Sequence, residues 1–149
     1  MRKLLLCVGL FLWVFITGCN EVQLTTLQRK QLESRDLQGK YENAYKATLN
    51  VFQDYGYAIK NTDYDSGVIH GETGIKSSWW VMKWAEATAT IERFGDNTVK
   101  ERLSLINKQK SSSQYGTHEK SEVVEDSVIF TKIFDDIQKE MFIRQNINK

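Results

Sequence analysis

Residues 41–56 read YENAYKATLNVFQDYG, and the spacing of the bulky side chains in this stretch predicts the first helix of the fold. Bulky residues stand at positions 41, 45, 48, 49, 52 and 55. Intervals of three and four residues are the period of a helix with one buried face. Gly56 follows and is typical of a left-handed cap. We therefore expect an amphipathic helix that ends at Gly56.

Two hairpins are predicted after this helix. Residues 57–61 alternate as a strand does, 63–67 (DYDSG) have turn composition, and 68–73 (VIHGET) form the returning strand. In the second hairpin, residues 85–94 place small alanines on one face and Glu or Thr on the other, and the small side chains leave room for a helix to pack closely. The return after the turn at 95–97 has an apolar face through Val99, Leu103 and Leu105, to which Glu101 is the exception.

The two ends of the chain complete the predicted fold. A first strand is expected over 31–37, and a flexible loop over 111–116 (SSSQYG). Ser121 is a candidate N-cap of a closing helix, whose apolar stripe runs through Val124, Ser127, Val128, Phe130, Phe134, Ile137 and Met141. This order predicts an α+β fold: an antiparallel sheet of about four to five strands with two helices packed on one face.

The first 18 residues have the composition of a secretory signal. Arg2 and Lys3 are followed by thirteen residues, 4–16, with nothing more polar than Gly9 and Cys7. A membrane-spanning helix needs about 20 apolar residues, and the chain becomes polar directly after Cys19. A charged start, a short apolar run and small residues at its end are typical of a cleaved signal peptide.

Residues 16–19 (ITGC) resemble the lipobox of bacterial lipoproteins. The resemblance implies that signal peptidase II cuts before Cys19, that the Cys19 sulfur carries a diacylglycerol, and that the new amino group is often acylated, for example with palmitate. Asn20, where an aspartate would retain the protein in the inner membrane, implies the outer membrane, facing the periplasm. In a Gram-positive cell the same sequence implies the outer face of the cytoplasmic membrane. An ordinary cleaved secretory signal is the alternative.

These features divide the chain into three parts. Residues 1–18 are the predicted signal peptide, 19–30 the lipidated N-terminus and tether, and 31–149 a single α+β domain. Cys7 lies in the removed part, so Cys19 is the one cysteine left and a disulfide within the mature chain is excluded. Without Arg2 and Lys3, 18 basic residues face 19 acidic ones, a balance that gives no electrostatic footprint for nucleic acid.

Residues 44–69 carry a second and weaker resemblance. Their pattern of packing residues, with VFQDYGY followed by an aspartate and GVI, is similar to small uncharacterised envelope lipoproteins. It is more distantly similar to the helix-grip domains of the C subunit of the outer-membrane β-barrel assembly machine. The resemblance covers about a fifth of the mature chain. It implies a fold and says little about activity, because function depends on sites that vary within a fold.

Two groups of polar residues are candidates for chemical sites. Oxygen side chains at Asn61, Asp63, Asp65 and Glu72 have the spacing of a calcium loop, but Ser66 stands where that loop needs glycine, which favours an Asp-rich turn. His70 and Glu72 could form a general base on one side of a strand. The chain has no nucleophile-elbow serine, and His118 lies beside the predicted loop. We therefore expect no catalytic residues, no metal and no cofactor, with a small hydrolase as a distant alternative.

The segment 77–84 (SSWWVMKW) is the remaining feature. Three of the four tryptophans lie within six residues there. They could cover one end of the core, form a partner-binding surface of Trp79, Trp80, Met82 and Trp84, or enter lipid headgroups with Lys83 reaching outward. The sequence predicts a non-enzymatic interaction or assembly module that docks an envelope protein. A structural membrane-surface protein without a dedicated protein partner is the alternative.

Overall fold

The computed structural model describes residues 24–147, which form one antiparallel sheet of seven strands and three helices. The α+β prediction is confirmed, but its counts of four to five strands and two helices were too low. The helices are α1 (Thr26–Leu32), α2 (Tyr41–Asp54) and α3 (Ser127–Ile147). The strands are β1 (Ser34–Gln38), β2 (Tyr57–Asp63), β3 (Val68–Thr73), β4 (Lys76–Ser78), β5 (Val81–Arg93), β6 (Thr98–Ser113) and β7 (Gly116–Val123).

The strand order across the sheet is β1-β6-β5-β3-β2, and the short strands β4 and β7 pair with β5 and β6. Helices α2 and α3 pack against each other and on one face of this sheet. Ala87 and Ala89 of β5 are fully buried on that face, as the small side chains predicted, and the large residues Phe52, Phe130 and Phe134 fill the space between helices and sheet. Each such phenylalanine contributes about 1.5–3 kcal/mol through burial.

Glycines provide the backbone conformations that two turns require. Gly56 has φ +84° and ends α2, as predicted. Gly67, with φ +73°, closes the turn between β2 and β3, and its carbonyl accepts a hydrogen bond of 2.9 Å from the Ile91 amide. A Cβ at this position would lie 2.1 Å from the Ile91 carbonyl oxygen. Only glycine therefore fits where the turn touches β5.

The chain between β6 and α3 differs from the prediction. Where a loop and an early helix start were expected, β6 continues to Ser113 and pairs with β7. Ser121 lies on β7, so it is not an N-cap, and α3 begins at Ser127, where the Asp126 carboxylate accepts the Val128 amide at 2.8 Å. Val128 itself is exposed. The hairpin escaped prediction because its residues are almost all polar and give no apolar alternation.

The N-terminal prediction also needs correction. Helix α1 begins inside the segment predicted to be a tether, and β1 starts at Ser34 rather than at residue 31. The cause is a capping box: the Thr25 hydroxyl accepts the Gln28 amide at 3.3 Å, and the Gln28 side chain accepts the Thr25 amide at 2.9 Å. An ion pair between Arg29 and Glu125 holds α1 against the chain that leads into α3.

Glu101, the exception on the apolar face of β6, is fully buried. Its carboxyl oxygen Oε1 lies 2.8 Å from the Thr48 hydroxyl of α2, and Oε2 has no hydrogen-bond partner among residues 24–147. Within the same residues, none of the helices has both the length and the apolar composition needed to cross a membrane.

Candidate functional site

The long strands β5 and β6 extend beyond the part of the sheet that the helices cover. We call this extension the arm: it consists of β4, residues 81–85 of β5, residues 106–113 of β6, and β7. Residues 81–83 pair with β4 on one side, and residues 81–85 pair with 107–111 on the other. Residues 106–113 pair in turn with β7. All eight residues of β7 and all three of β4 are exposed.

Two turns lie side by side at the free end of the arm. The β4–β5 turn consists of Trp79 and Trp80, and the β6–β7 turn consists of residues 114 and 115. A hydrogen bond of 3.0 Å from the Ser112 amide to the Trp80 carbonyl joins the two hairpins next to these turns. The arm therefore presents both turns on one end.

Three aromatic side chains project from this end, which we call the aromatic tip. Trp79 is 92% exposed, Trp80 is 67% exposed and Tyr115 is 88% exposed. The sequence left three interpretations of the tryptophans: burial in the core, binding of a partner, and insertion into lipid headgroups. Their exposure rules out burial in the core for Trp79 and Trp80. The sequence did not single out Tyr115, because the turn that carries it looked like a flexible serine-rich loop. The one available signal was an aromatic residue inside that loop.

Met82 and Trp84, the other two predicted partner-binding residues, lie away from the tip. They share one face of β5, and both are half-buried. Their positions alternate with those of Ala87 and Ala89, so they lie on the sheet face opposite the helices, which we call the open face. The indole Nε1 of Trp84 donates a hydrogen bond of 3.1 Å to Oε1 of Glu86. The structure thus separates the four predicted residues into an exposed pair at the tip and a half-buried pair on the open face.

A charged network holds Trp84 on the open face. The Lys108 ammonium of β6 lies 2.9 Å from the same Glu86 oxygen. Partial burial raises the pKa of the Glu86 carboxyl, but the hydrogen bonds from Lys108 and Trp84 outweigh burial, and the pKa lies below its ordinary value. The hydrogen bond with Glu86 in turn raises the pKa of Lys108. Both groups stay charged near neutral pH, which fixes the Trp84 ring in place.

His70 and Glu72 occupy the same open face on β3. The His70 Nδ1 lies 3.0 Å from the Thr88 hydroxyl, and its Nε2 lies 3.6 Å from Oε1 of Glu72. Lys60 approaches the other Glu72 oxygen at 3.9 Å. The candidate general-base pair is therefore part of a set of cross-strand polar contacts on a sheet surface.

The residues that have the spacing of a calcium loop form a turn. The Asp63 carboxylate accepts the Asp65 and Ser66 amides at 3.0 and 3.3 Å. The Ser66 side chain, together with these two amides, holds the pKa of Asp63 below its ordinary value. Residues 64–67 are turn residues, and β3 begins directly after them. Among the residues that the structure describes, no three His, Cys, Asp or Glu side chains are grouped so that they could hold a metal ion.

Cys19 and its lipobox lie outside the described residues. The first described residue, Leu24, is five positions after Cys19. The Leu24 amide donates a hydrogen bond of 3.4 Å to the Glu125 carboxylate, two residues beyond the end of β7. The described chain therefore begins at the base of the arm.

Neither the scan against models of protein families nor the search of curated proteins found a match to this chain.

Proposed function

We propose that the protein is a lipid-anchored envelope lipoprotein that acts as a non-enzymatic interaction or assembly module facing the periplasm. In this proposal, Cys19 carries the lipid and holds the protein on the outer membrane. The arm reaches outward from the anchored domain, and its aromatic tip docks an envelope protein. The observation that carries the proposal is the grouping of Trp79, Trp80 and Tyr115 on one exposed end.

The anchor part of the proposal is supported by the residues around Cys19. The ITGC sequence follows an apolar run that is too short to span a bilayer. A diacylglycerol with an additional acyl chain supplies the two or three chains that stable anchoring needs. The chain from Cys19 to Leu24 spans at most about 18 Å. Such an anchor would therefore keep the described domain close to the membrane surface.

The docking part is supported by the chemistry of the tip. Tryptophan and tyrosine are enriched among the few interface residues that provide most of the binding energy. They bury a large apolar area and lose little conformational freedom on binding. The tip has two strands behind each aromatic turn, so its backbone is held by sheet pairing. A preorganised aromatic surface of this kind loses less entropy when it binds than a flexible loop would.

The proposal is tested by site-specific photo-crosslinking in living cells, with the reactive residue placed at Trp80. Phe94 is the matched control. It is also an exposed aromatic residue, at 61%, but it lies at the opposite end of β5. We expect a discrete protein adduct from position 80 and none from position 94.

The outcomes separate the proposed role from the alternative. Lipid adducts without a protein adduct at position 80 would instead favour the structural membrane-surface protein. The absence of any adduct at position 80, with efficient incorporation of the reactive residue, would overturn docking at the tip. Equal protein adducts from positions 80 and 94 would mean that the contacts are not specific to the tip.

A further inference from the structure

One face of the arm carries three lysines with few acidic partners. Lys76 of β4 pairs with Lys83 of β5, Lys83 pairs with Gln109 of β6, and Gln109 pairs with Lys120 of β7. These four residues therefore form one line across four strands, which we call the lysine row. Lys83 is four and six residues before Ala87 and Ala89, and residues at even spacing on a strand point to the same face. The row therefore lies on the side of the sheet that carries the helices, and not on the open face.

The arrangement is unfavourable without a counter-charge. Neighbouring strands are about 4.8 Å apart, so the whole row spans only about 14 Å. Like charges that are directly opposite each other on paired strands destabilise a sheet, and Lys76 and Lys83 are such a pair. Within residues 24–147, neither of them forms an ion pair, whereas Lys120 lies 3.4 Å from Glu122. The row therefore has more positive charge than its surroundings neutralise.

The row also has a shape that suits an anionic group. It borders a shallow concavity of about 480 Å³. Side-chain amides and a hydroxyl stand beside the ammonium groups, and the lining includes Thr73, Lys76, Lys83, Asn107, Gln109 and Lys120. Glu122 is the acidic member of this lining. Ammonium groups bind phosphate as point charges, and amide donors can add hydrogen bonds to its oxygens.

The position of the row relative to the start of the described chain indicates which phosphates it meets. Leu24 is hydrogen-bonded to Glu125, and Lys120 is five positions before Glu125 on the chain. Both this separation and the chain from Cys19 to Leu24 span at most about 18 Å. A lipid on Cys19 would thus keep Lys120 no more than about 40 Å along the chain from the bilayer surface, where phosphate groups are dense.

We propose that the lysine row binds the phosphate groups of anionic phospholipid headgroups, and so orients the arm on the membrane that the anchor holds. This inference rests on the proposed lipid anchor, and it does not depend on protein docking at the tip. Each lysine near an anionic lipid surface strengthens binding roughly fivefold. The attraction is screened by salt, because the Debye length is only about 3 Å at 1 M ionic strength.

The test is amine acylation of the purified full chain, read by mass spectrometry at each lysine. The chain is reconstituted into vesicles of phosphatidylcholine alone, or of phosphatidylcholine with phosphatidylglycerol. Lys100, an exposed lysine at the other end of β6, is the internal control. We expect acylation of Lys76, Lys83 and Lys120 to slow roughly fivefold or more on anionic vesicles, to recover at about 1 M salt, and to stay unchanged at Lys100.

Three results would overturn the assignment. Equal acylation of the row on neutral and anionic vesicles would exclude recognition of anionic lipid. Equal protection by inorganic phosphate without vesicles would assign the row to a soluble anion. Unchanged protection of Lys76 and Lys120 in the Lys83→Gln variant would exclude a shared site. Flotation with neutral vesicles measures the lipid anchor separately. A chain that does not float with neutral vesicles, but whose lysine row is protected from acylation by anionic vesicles, would contradict only the anchor.

Discussion

The Thr48 hydroxyl of α2 lies 2.8 Å from Oε1 of Glu101 on β6, and both side chains are completely buried. The same hydroxyl lies 2.9 Å from the Ala44 carbonyl oxygen, which can only accept a hydrogen bond. A hydroxyl has one hydrogen to donate, so both contacts are hydrogen bonds only if Glu101 is protonated and donates to Thr48. Burial is the largest influence on this carboxyl, and it raises the pKa of Glu101 to about 8.

Stability should therefore depend on pH through Glu101. In the unfolded chain Glu101 loses its proton near pH 4.5, and in the folded chain it keeps the proton to about pH 8. Between these values the unfolded state binds fewer protons, so the free energy of unfolding falls as the pH rises, by up to ~1.4 kcal/mol per pH unit from this group. Urea denaturation of the wild type at about pH 5 and about pH 8 measures this fall.

The Glu101→Gln variant isolates this contribution. The glutamine amide can donate to Thr48 as the protonated carboxyl does, but it does not titrate. We expect the variant to fold and to lose most of the fall in unfolding free energy between about pH 5 and about pH 8. If wild type and variant lose the same free energy over this interval, Glu101 is not the protonated group.

Gly67 should tolerate no side chain. In Gly67→Ala the new Cβ would meet the Ile91 carbonyl oxygen, and the left-handed φ adds strain for any residue with a side chain. We expect a loss of stability of about 1–3 kcal/mol, visible as a lower melting temperature. Gly74→Ala is the matched control, because no atom lies within 4 Å of a Cβ built there. Equal melting temperatures for the two variants would contradict the close approach of this turn to β5.

The Cys19→Ser variant tests the lipid anchor. Without the thiol there is no nucleophile to take the lipid, so we expect an unlipidated precursor that keeps its signal peptide. Its electrophoretic mobility and the mass of its N-terminal peptide measure this outcome. A mature, soluble Cys19→Ser protein would instead show that an ordinary secretory signal is cleaved.

Trp80→Ala should separate docking from folding. The side chain is largely exposed, and surface substitutions usually change stability by less than about 0.5 kcal/mol. Loss of a central aromatic anchor, in contrast, costs about 2 kcal/mol or more of binding free energy, which is roughly a 30-fold weaker complex. Thermal melting and recovery of the crosslinked partner from a second tip position measure the two effects. A large fall in melting temperature would place Trp80 in the fold rather than in an interface.

The sequence was informative wherever a face is buried. The apolar period of residues 41–55 predicted α2, and the predicted strand 68–73 has the bounds of β3. The alternation of small and polar residues predicted the buried face of β5. Burial imposes a period on the sequence in each of these elements, and that period can be recognised without the structure.

The arm could not be predicted in the same way. Strand β7 is exposed along its whole length, so no selection for apolar residues gives it a period of two. The position of Tyr115 beside Trp80 and the alignment of Lys76, Lys83 and Lys120 depend on strand register, which pairs residues that are far apart in sequence. Glu101 stood out in the sequence, but its partner Thr48 became evident only when α2 was placed over β6.

The most direct test of docking at the aromatic tip is photo-crosslinking in living cells from Tyr115, the tip residue that the sequence did not indicate. Because Tyr115 and Trp80 lie on adjacent turns of one arm, we expect position 115 to capture the same protein as position 80. We also expect capture from position 115 to fall when Trp80 is replaced by alanine. A protein adduct from position 80 with none from position 115, or adducts to unrelated proteins from the two positions, would contradict a single docking surface at the tip.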